Sequence, residues 1–415
     1  MKWLMTLARV GIHQARNVVK LLMGRPLTTP PLGSVTLDQD DVELAKKWLK
    51  NRQDWFDESI VSEYEQGFAQ WNGSKHVFAF MGARVALSAC ICALDLRPGD
   101  EVILPGYTCV VVSNAFHFAG ITTVYCDIEL DTYGMDASLI ASKITPKTRA
   151  ILIHHLYGLV CRDYEAIIAI AREQGLKVIE DCAQATGAEY QGRKVGHLGD
   201  VAIYSSEQSK VFTTVQGGIA ATNDEVLHHR LHDFRDRAPY PNEEWIDKLL
   251  HNLLLNYYQI KHPQRWWRGD WAELVYGRKR LISTTSEEEA GIKPAHYGMR
   301  MPVPIAALSL HQLSKIDRYN ELRRQTAKKW DAWCETNGYR KAFVLPDSSP
   351  IYLRYPVIVE SEKKQHPAWA RKELGVQLGV WFKGKAHPVE LPEITGCPQA
   401  DLAVARCVNF PTILD

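Results

Sequence analysis

Short apolar runs alternate with helical stretches from about residue 75 to residue 206, and this alternation limits the folds open to the chain. Six runs have the composition of strands, namely HVFAF, EVILP, TTVYCDI, RAILIHHL, KVIEDC and DVAIYSS. The stretches between them, such as ARVALSACICALDL and YEAIIAIAREQG, have the composition of helices. Strands that are apolar throughout are buried on both faces, which is typical of a parallel sheet covered by helices. We therefore predict an α/β fold with a mainly parallel central sheet, and a ligand site beyond the carboxyl ends of its strands.

The flanking segments predict a division of the chain into four parts. A polar helical stretch with the Pro/Gly linker TTPPLGS predicts an N-terminal arm over 1–55, and the alternating segment forms a large domain over 56–237. An aromatic-rich, helical insertion follows over 238–297. A long helix and the strand-like run IYLRYPVIV then predict a smaller C-terminal α/β domain over 298–415. The insertion either packs on the body, covers a substrate entrance or contacts a lipid-linked or membrane-proximal partner.

Charge and cysteine content narrow the class of protein. A formal net charge of +1 over 415 residues argues against nucleic acid as a partner. Nine cysteines are scattered through apolar stretches, without a CxxC pair or a histidine-flanked cluster. This pattern predicts reduced core thiols in a cytoplasmic protein and no metal site. No apolar run in the sequence is long enough to cross a bilayer.

The first 25 residues, MKWLMTLARVGIHQARNVVKLLMGR, place apolar side chains at helical spacing and basic side chains on other faces. Basic residues interrupt every apolar stretch, so the segment is not a signal peptide. Three interpretations stay open. The segment is a helix packed on the body or on a partner subunit, a basic amphipathic helix on an anionic membrane surface, or a disordered tail.

A lysine and an acid follow two of the predicted strands. Lys210 ends the hydroxyl-rich stretch SSEQSK, after the strand VAIY, and Asp181 ends the strand-like run KVIED. Alone, Asp181 could simply cap the next element. Together they suit pyridoxal phosphate, which needs a lysine for its aldehyde and a carboxylate for its ring nitrogen. Its phosphate needs donors such as a helix N-terminus, and Gly82 and Ala83 lie between a strand and a helix.

Several longer motifs occur in an order that resembles one family. They are PGDEVILPGYTCVVVSNAFHFAG, TTVYCDIELDTYGMD, HHLYG, VIEDCAQATGAEYQGRKVGHLGDVAIYSS, QGGIAATND and RMPVPIAALSLHQL. The chain resembles the DegT/DnrJ/EryC1/StrS sugar aminotransferases, which are fold-type-I enzymes that use pyridoxal 5'-phosphate. The resemblance covers about residues 56–236 and resumes from about residue 298 to the end.

The resemblance implies roles by position. Lys210 matches the lysine that forms an imine with the cofactor and later moves the substrate proton. Asp181 matches the acid that keeps the ring nitrogen protonated, and Gln184 matches a residue near the ring's phenolic oxygen. Three further positions match the phosphate site, namely Ser205, Ala83 and Arg84.

Three departures from the family pattern lie at the cofactor site. Many relatives have serine, glycine and threonine where this chain has Gly82, Ala83 and Arg84. The ring-stacking aromatic of the family falls at Cys109, so stacking is weaker or comes from Tyr107. An asparagine that reaches the neighbouring subunit's phosphate falls at Gly298. Our hypothesis is that Arg84 compensates as a charged phosphate donor; the alternative is a surface arginine at a helix start.

Four residues are weaker candidates for substrate contact: His154, His155, Trp381 and Lys383. The two histidines end a predicted strand, where ordinary buried hydrogen bonding is the alternative. Trp381 and Lys383 lie in GVWFKGKAHP, where relatives approach the substrate with the small domain. Glu207 replaces a common histidine, and we expect it to be a solvated loop acid rather than a substrate contact.

The resemblance implies the transfer of an amino group from an amino acid, which we expect to be glutamate, to a keto-sugar linked to a nucleotide. The product would serve cell-surface polysaccharide or secondary-metabolite biosynthesis. It also implies a homodimer. A pyridoxal-dependent sugar dehydratase is an alternative, but those enzymes typically carry histidine where this chain has Lys210. A non-catalytic regulatory or scaffold protein that keeps the cofactor is another. The identity of the sugar, its nucleotide and the aminated carbon do not follow from the sequence.

Overall fold

The computed structural model describes residues 2–23, 32–33, 35–261, 281 and 283–414. Its strands are β1 (His76–Phe80), β2 (Glu101–Pro105), β3 (Thr108–Cys109), β4 (Thr122–Cys126), β5 (Thr148–His154), β6 (Lys177–Asp181), β7 (Glu189–Tyr190), β8 (Arg193–Lys194), β9 (Val201–Ser205), β10 (Gly218–Thr222), β11 (Ser348–Ser349), β12 (Tyr355–Ile358), β13 (Ala386–His387) and β14 (Cys407–Phe410).

The central sheet has seven strands in the order β1-β10-β9-β6-β5-β2-β4. The run from β9 to β4 is parallel throughout, and β10 is antiparallel to both of its neighbours, β1 and β9. The predicted mainly parallel sheet is therefore confirmed. Its strands correspond to the six apolar runs, with β10 added from the glycine-led segment after Lys210.

Helices cover both faces of this sheet, as its apolar strands require. On β5, Ile151 and Ile153 belong to one core cluster, whereas Ala150 and Leu152 belong to the other. Successive side chains of a strand point to opposite faces, so both faces of β5 are buried. The helices that precede residue 257 are α1 (Lys2–Leu22), α2 (Gln39–Lys50), α3 (Ser59–Asn72), α4 (Ala83–Ala93), α5 (Val110–His117), α6 (Ala137–Ile140), α7 (Tyr164–Glu173), α8 (Glu225–Arg237) and α9 (Glu243–Asn256).

The later helices span Ser286–Glu289, Val303–Leu313, Ile316–Asn337, Ser361–Gln365, Ala368–Leu374 and Pro398–Arg406. The long helix predicted at the start of the C-terminal domain is therefore two helices, Val303–Leu313 and Ile316–Asn337, which are separated at residues 314–315. Short 3₁₀ segments span Arg52–Phe56, Ala141–Lys143 and Leu156–Gly158, and a π-helical turn spans Tyr257–Lys261. A smaller antiparallel sheet of β12 and β14 packs with Trp330 and Phe410 in a separate C-terminal cluster.

Segments assigned to different predicted domains share one core. Val42 of α2, Leu250 of α9 and Leu308 of the helix Val303–Leu313 are all fully buried in the cluster on one face of the sheet. The division at residues 55, 237 and 297 thus stays a proposal, and packing is continuous across it. Much of the aromatic insertion, including its tryptophans at 266, 267 and 271, lies outside the described residues.

Helix α1 presents apolar side chains to solvent. Ile12 is 71% exposed and Leu22 is 82% exposed, and Val18, Val19 and Met23 are exposed as well. This face does not pack on the chain's own body. Across the described part of the chain, none of the helices combines the length and the apolar character needed to traverse a bilayer.

Candidate active site

A cavity of about 350 Å³ lies at the carboxyl ends of the parallel strands. His154 ends β5, Asp181 ends β6 and Ser205 ends β9, and all three line this cavity. The strands are neighbours in the sheet, with His154 opposite Asp181 and Asp181 opposite Ile203. The position at one edge of the sheet is the one that the strand pattern predicted.

Asp181 and Lys210 reach the same cavity from different elements. One carboxylate oxygen of Asp181, Oδ1, accepts the Ala183 N–H at 3.0 Å. Burial raises the pKa of Asp181, while that hydrogen bond and the charge of Lys210 oppose the rise. The backbone N–H of Lys210 donates to the Glu207 carbonyl at 2.9 Å, which closes a tight turn after β9. This turn holds the amine at the cavity, 5.4 Å from the centre of the Trp381 ring.

The N-terminus of α4 forms another wall of the cavity. Ala83 begins this helix, and β10 passes so close that a Cβ at Gly218 would lie 2.2 Å from the Ala83 nitrogen. N–H groups in the first turn of a helix have no intrahelical partner and favour an anion. The Ser205 hydroxyl lies at the same cavity, and Gln184 is oriented there because its Oε1 accepts the Tyr157 N–H at 3.0 Å.

These groups fit pyridoxal phosphate. The cavity brings together a primary amine, a buried carboxylate, and a helix N-terminus with a hydroxyl beside it. They correspond to the aldehyde, the ring nitrogen and the phosphate of the cofactor. The fit rests on the chemistry of side chains and N–H groups that three separate sequence segments, 82–84, 181–184 and 205–210, contribute to one cavity.

Arg84 lines the cavity but already has partners. Its Nη1 donates to Glu288 Oε1, and its Nη2 donates to the Ser283 carbonyl. The Glu288 side chain is 1% exposed and that of Arg84 is 21% exposed, so Arg84 is not a simple surface residue. Its compensating role at the phosphate stays a prediction, and the observed contact is to the segment 283–297.

The two candidates for ring stacking differ in position. Cys109 lines the cavity, and burial raises the pKa of its thiol. Tyr107 does not reach the cavity: it is fully buried, and its hydroxyl lies 2.9 Å from the Tyr157 hydroxyl. The stacking role of Tyr107 stays a prediction, which its position behind the cavity wall does not support. Phe382 is the aromatic ring that lines the cavity, with Tyr107 stacked behind it at 4.1 Å.

Both predicted histidines line the cavity and both have protein partners. His154 Nε2 lies 2.7 Å from the Tyr133 carbonyl, and burial lowers the pKa of His154 to about 4. A neutral His154 therefore donates from Nε2 to that carbonyl. His155 Nδ1 accepts the Cys161 N–H at 3.1 Å, and its Nε2 lies 3.4 Å from Glu180 Oε2. Substrate contact by either histidine stays a prediction.

Three residues near the small domain behave differently from one another. Trp381 is half-buried and lies against Lys210, whereas Lys383 is exposed, and neither residue lines the cavity. Glu207 was expected to be a solvated loop acid, and this is wrong. It is 8% exposed, it lines the cavity, and its Oε2 accepts the Ser209 N–H at 2.9 Å.

The sequence reasoning missed several residues at this site. Four residues of the predicted insertion line the cavity, namely Trp245, Glu288, His296 and Tyr297. A cover over the substrate entrance was one interpretation of the insertion, but the sequence did not single out these residues. His387 was also missed, although it belongs to the stretch GVWFKGKAHP. It lies opposite Cys109 where β13 pairs with β3, and burial, with a smaller effect of the Lys210 charge, lowers its pKa to about 4.

Comparisons with known proteins agree with this architecture. A GDP-perosamine synthase from Caulobacter vibrioides is 39% identical over 186 residues, which cover 45% of this chain and 50% of the relative. The spore coat polysaccharide biosynthesis protein SpsC of Bacillus subtilis is 27% identical over 343 residues, 81% of this chain and 76% of the relative. The chain spans between 34% and 61% of the length of the first three curated relatives that it matches.

Solved structures share the fold. An aminotransferase from Psychrobacter cryohalolentis aligns with a TM-score of 0.69 at 24% identity and covers 91% of this chain and 92% of its own. NtdA of Bacillus subtilis, solved with bound cofactor PMP, aligns with a TM-score of 0.70 at 21% identity, over 94% of this chain and 82% of its own. Residues 36–415 match the DegT/DnrJ/EryC1/StrS aminotransferase family, whose members are pyridoxal phosphate-dependent, and the chain belongs to that family.

Proposed function

We propose that this protein transfers an amino group from glutamate to a keto-sugar, with pyridoxal phosphate held in the cavity at the sheet edge. The observation that carries the proposal is the convergence of Lys210, Asp181 and the N-terminus of α4 on that cavity. Relatives named as a GDP-perosamine synthase and a dTDP-3-amino-3,6-dideoxy-alpha-D-galactopyranose transaminase support a nucleotide-linked sugar. SpsC supports a place in polysaccharide biosynthesis.

Each residue has a defined task in this reaction. Pyridoxal phosphate, when bound, supplies an electron sink that makes the proton beside the donor's amino group removable. The Lys210 amine would hold the cofactor's aldehyde and, once free, would carry the proton of the donor. The Asp181 carboxylate would hold the ring nitrogen in its protonated form. The Ser205 hydroxyl and the first N–H groups of α4 would hold the phosphate.

The absorbance of the reconstituted holoenzyme tests this function. Glutamate should remove the absorbance of the lysine-bound cofactor and release an equal amount of 2-oxoglutarate. The aminated form should then regain the original spectrum with one of a panel of keto-sugar nucleotides. Borohydride reduction should attach the cofactor to the peptide that contains Lys210, and a Lys383→Ala control should behave as the wild type because Lys383 is exposed.

The two alternatives give other results. A dehydratase would consume the sugar without a lasting requirement for an amino donor. A non-catalytic cofactor-binding protein would keep its original spectrum in glutamate. Reduction without a label at Lys210 would refute amino transfer through this lysine, since that reaction starts from the cofactor joined to its amine.

We also propose that the protein acts as a cytoplasmic homodimer, which rests on the way its family builds each site from two subunits. Analytical ultracentrifugation of the holoenzyme measures this directly. A monomer with full activity would contradict the dimer.

We propose further that α1 lies on an anionic membrane surface. The side chains of Ile12, Val18, Val19 and Leu22 are exposed and fall on one arc of the helix. Arg16 is exposed beside this arc, and the helix contains no Asp or Glu. An apolar arc flanked by cationic side chains fits the boundary between acyl chains and anionic headgroups.

Vesicle sedimentation tests the membrane contact. Vesicles of phosphatidylcholine with phosphatidylglycerol should retain the full chain, and Leu22→Glu should release it. Vesicles of phosphatidylcholine alone should bind weakly because they lack the anionic charge. Equal binding of wild type and Leu22→Glu, or a change of oligomeric state in Leu22→Glu without any vesicle binding, would refute the proposal.

A further inference from the structure

Arg354 is a buried cation placed beside the proposed site by a tight backbone contact. Gly158 has φ +84°, and a Cβ there would lie 2.6 Å from the Leu353 nitrogen. The absence of a side chain lets the segment 351–354, which precedes β12, lie against the loop that follows β5. Two hydrogen bonds fix it there, from Ile351 N–H to the Gly158 carbonyl at 2.9 Å and from Arg354 N–H to the Tyr157 carbonyl at 3.3 Å.

The Arg354 guanidinium lies on the same indole ring as the catalytic amine. Its Cζ is 5.2 Å from the centre of the Trp381 ring, and Lys210 Nζ is 5.4 Å from that centre. Trp381 is therefore a shared neighbour of the two cations. Arg354 is not itself part of the cavity wall, but Glu207, which lines the cavity, lies close enough to affect its charge.

This guanidinium lacks a counterion among the described residues. Arg354 is 3% exposed, and its Nε has no hydrogen-bond partner. Glu207 is the acid close enough to affect it, but no ion pair joins them, and Glu207 Oε1 also lacks a partner. Glu207 Oε2 is already bonded to the Ser209 N–H at 2.9 Å. Burial lowers the pKa of Arg354 to about 9, which shows the same lack of compensation.

A second buried arginine increases the positive charge. Arg323 is fully buried, and its Nη2 donates to the Val211 carbonyl, next to Lys210, at 2.6 Å. Burial, together with the charge of Arg354, lowers the pKa of Arg323 to about 9. Arg323 is occupied by this carbonyl and by Asn320, so its role is to position the lysine loop. Arg354 has no such task.

Burying a charge without a partner costs free energy of folding, and proteins rarely keep such a charge unless a ligand of opposite charge binds it. A guanidinium presents N–H donors in a planar fork that matches a carboxylate. We propose that Arg354 binds a carboxylate of the amino donor, and that this contact selects the donor. The inference rests on the proposed aminotransferase function, because it assumes that an amino acid enters the cavity.

The test compares Arg354→Met and Arg354→Lys with a matched Arg324→Met variant. Arg324 lies on the same helix as Arg323 but is partly exposed and pairs with Glu321 at the surface. The concentration of glutamate that half-saturates the spectral change should rise about 100-fold in Arg354→Met, which is typical when one partner of a buried charged pair is removed. Arg354→Lys should recover part of the loss, and Arg324→Met should match the wild type. The half-saturating concentration of the keto-sugar should not change.

Calorimetry with glutarate gives a readout that does not depend on turnover. Glutarate carries two carboxylates and no amine, so it should bind the wild-type holoenzyme and bind Arg354→Met at least about 10-fold more weakly. An unchanged affinity for glutarate and glutamate in a folded Arg354→Met protein would overturn the proposal. A half-saturating concentration that rises for the keto-sugar alone would overturn it as well. If the proposed function fails instead, wild-type protein will not react with any amino donor, and the glutarate titration will still report on Arg354.

Discussion

Removing the Arg84 guanidinium should loosen the segment 283–297, which lines the outer part of the cavity. Glu288 holds this segment through several contacts: its carboxylate accepts from Arg84 and from the Thr285 N–H at 2.9 Å, and its carbonyl accepts from Asn114 at 2.7 Å. Arg84→Met would leave the Glu288 carboxylate, 1% exposed, without its cation. Breaking a buried ion pair in this way costs about 3–5 kcal/mol. Because Arg84 is 21% exposed and solvent screens its charge, we expect a smaller cost than this, about 2–3 kcal/mol.

Hydrogen exchange followed by mass spectrometry measures this cost locally. A loss of about 2–3 kcal/mol in the free energy of local opening corresponds to exchange roughly 30–150 times faster in peptides that cover 285–297. Glu288→Gln should have a smaller effect, because solvent can compensate the partly exposed Arg84. The double variant Arg84→Met/Glu288→Gln should be less perturbed than the sum of the single variants, since the two residues contact each other.

The same variants decide between the two roles of Arg84. If Arg84 mainly holds the segment, Arg84→Met and Glu288→Gln should change exchange in the same peptides, and the dissociation constant of pyridoxal phosphate should change little. Unchanged exchange together with a cofactor dissociation constant at least about 10-fold higher in Arg84→Met alone would refute this reasoning. That result would favour Arg84 as a phosphate donor.

Two further predictions concern the elements around the cavity. Gly158→Ala should lower the free energy of unfolding by about 3 kcal/mol in chemical denaturation, because it combines a positive φ with a 2.6 Å contact to the backbone of Leu353. Gly192→Ala, with φ +73° and open space around the Cβ, should cost only about 1 kcal/mol, and equal losses would contradict the steric explanation. His154 has a pKa of about 4 when folded against an ordinary 6.5, so the unfolded chain binds more protons between these values and stability should fall as the pH drops through them. The free energy of unfolding should fall by roughly 3 kcal/mol. Urea denaturation at pH 7 and pH 4.5 measures this loss, and the His154→Gln variant should not show it. An identical pH dependence in both proteins would show that His154 does not contribute.

The elements of the central sheet follow from local sequence. The runs HVFAF, EVILP and KVIED are apolar on both alternating faces, and each is a strand whose two faces are buried. The sequence also predicts that the ends of these strands lie close together, because parallel strands place their carboxyl ends at one edge of a sheet. For this reason Asp181 and Lys210, 29 positions apart, could be expected in one site before any coordinates were known.

Local sequence was a poor guide where exposure depends on a distant segment. Glu207 belongs to a loop of polar residues, yet it is buried and lies near Arg354, which is 147 positions away in the chain. Tyr107 follows a strand directly, but Phe382, which is 275 positions away in the chain, lies between it and the cavity. Neither placement leaves a periodic or compositional signal near the residue itself.

The amino-acid sequence by itself determined the strands and helices of the large domain, the edge of the sheet that carries the site, and the lysine and acid at that edge. Only the tertiary structure decided which side chains close the site: Glu288 on Arg84, Phe382 in place of Tyr107, and Arg354 against the ring that also contacts Lys210. The physical reason is the range of the interactions. Strand and helix periodicity arises between neighbouring residues, whereas burial and charge pairing arise between segments that only packing of the whole chain brings together.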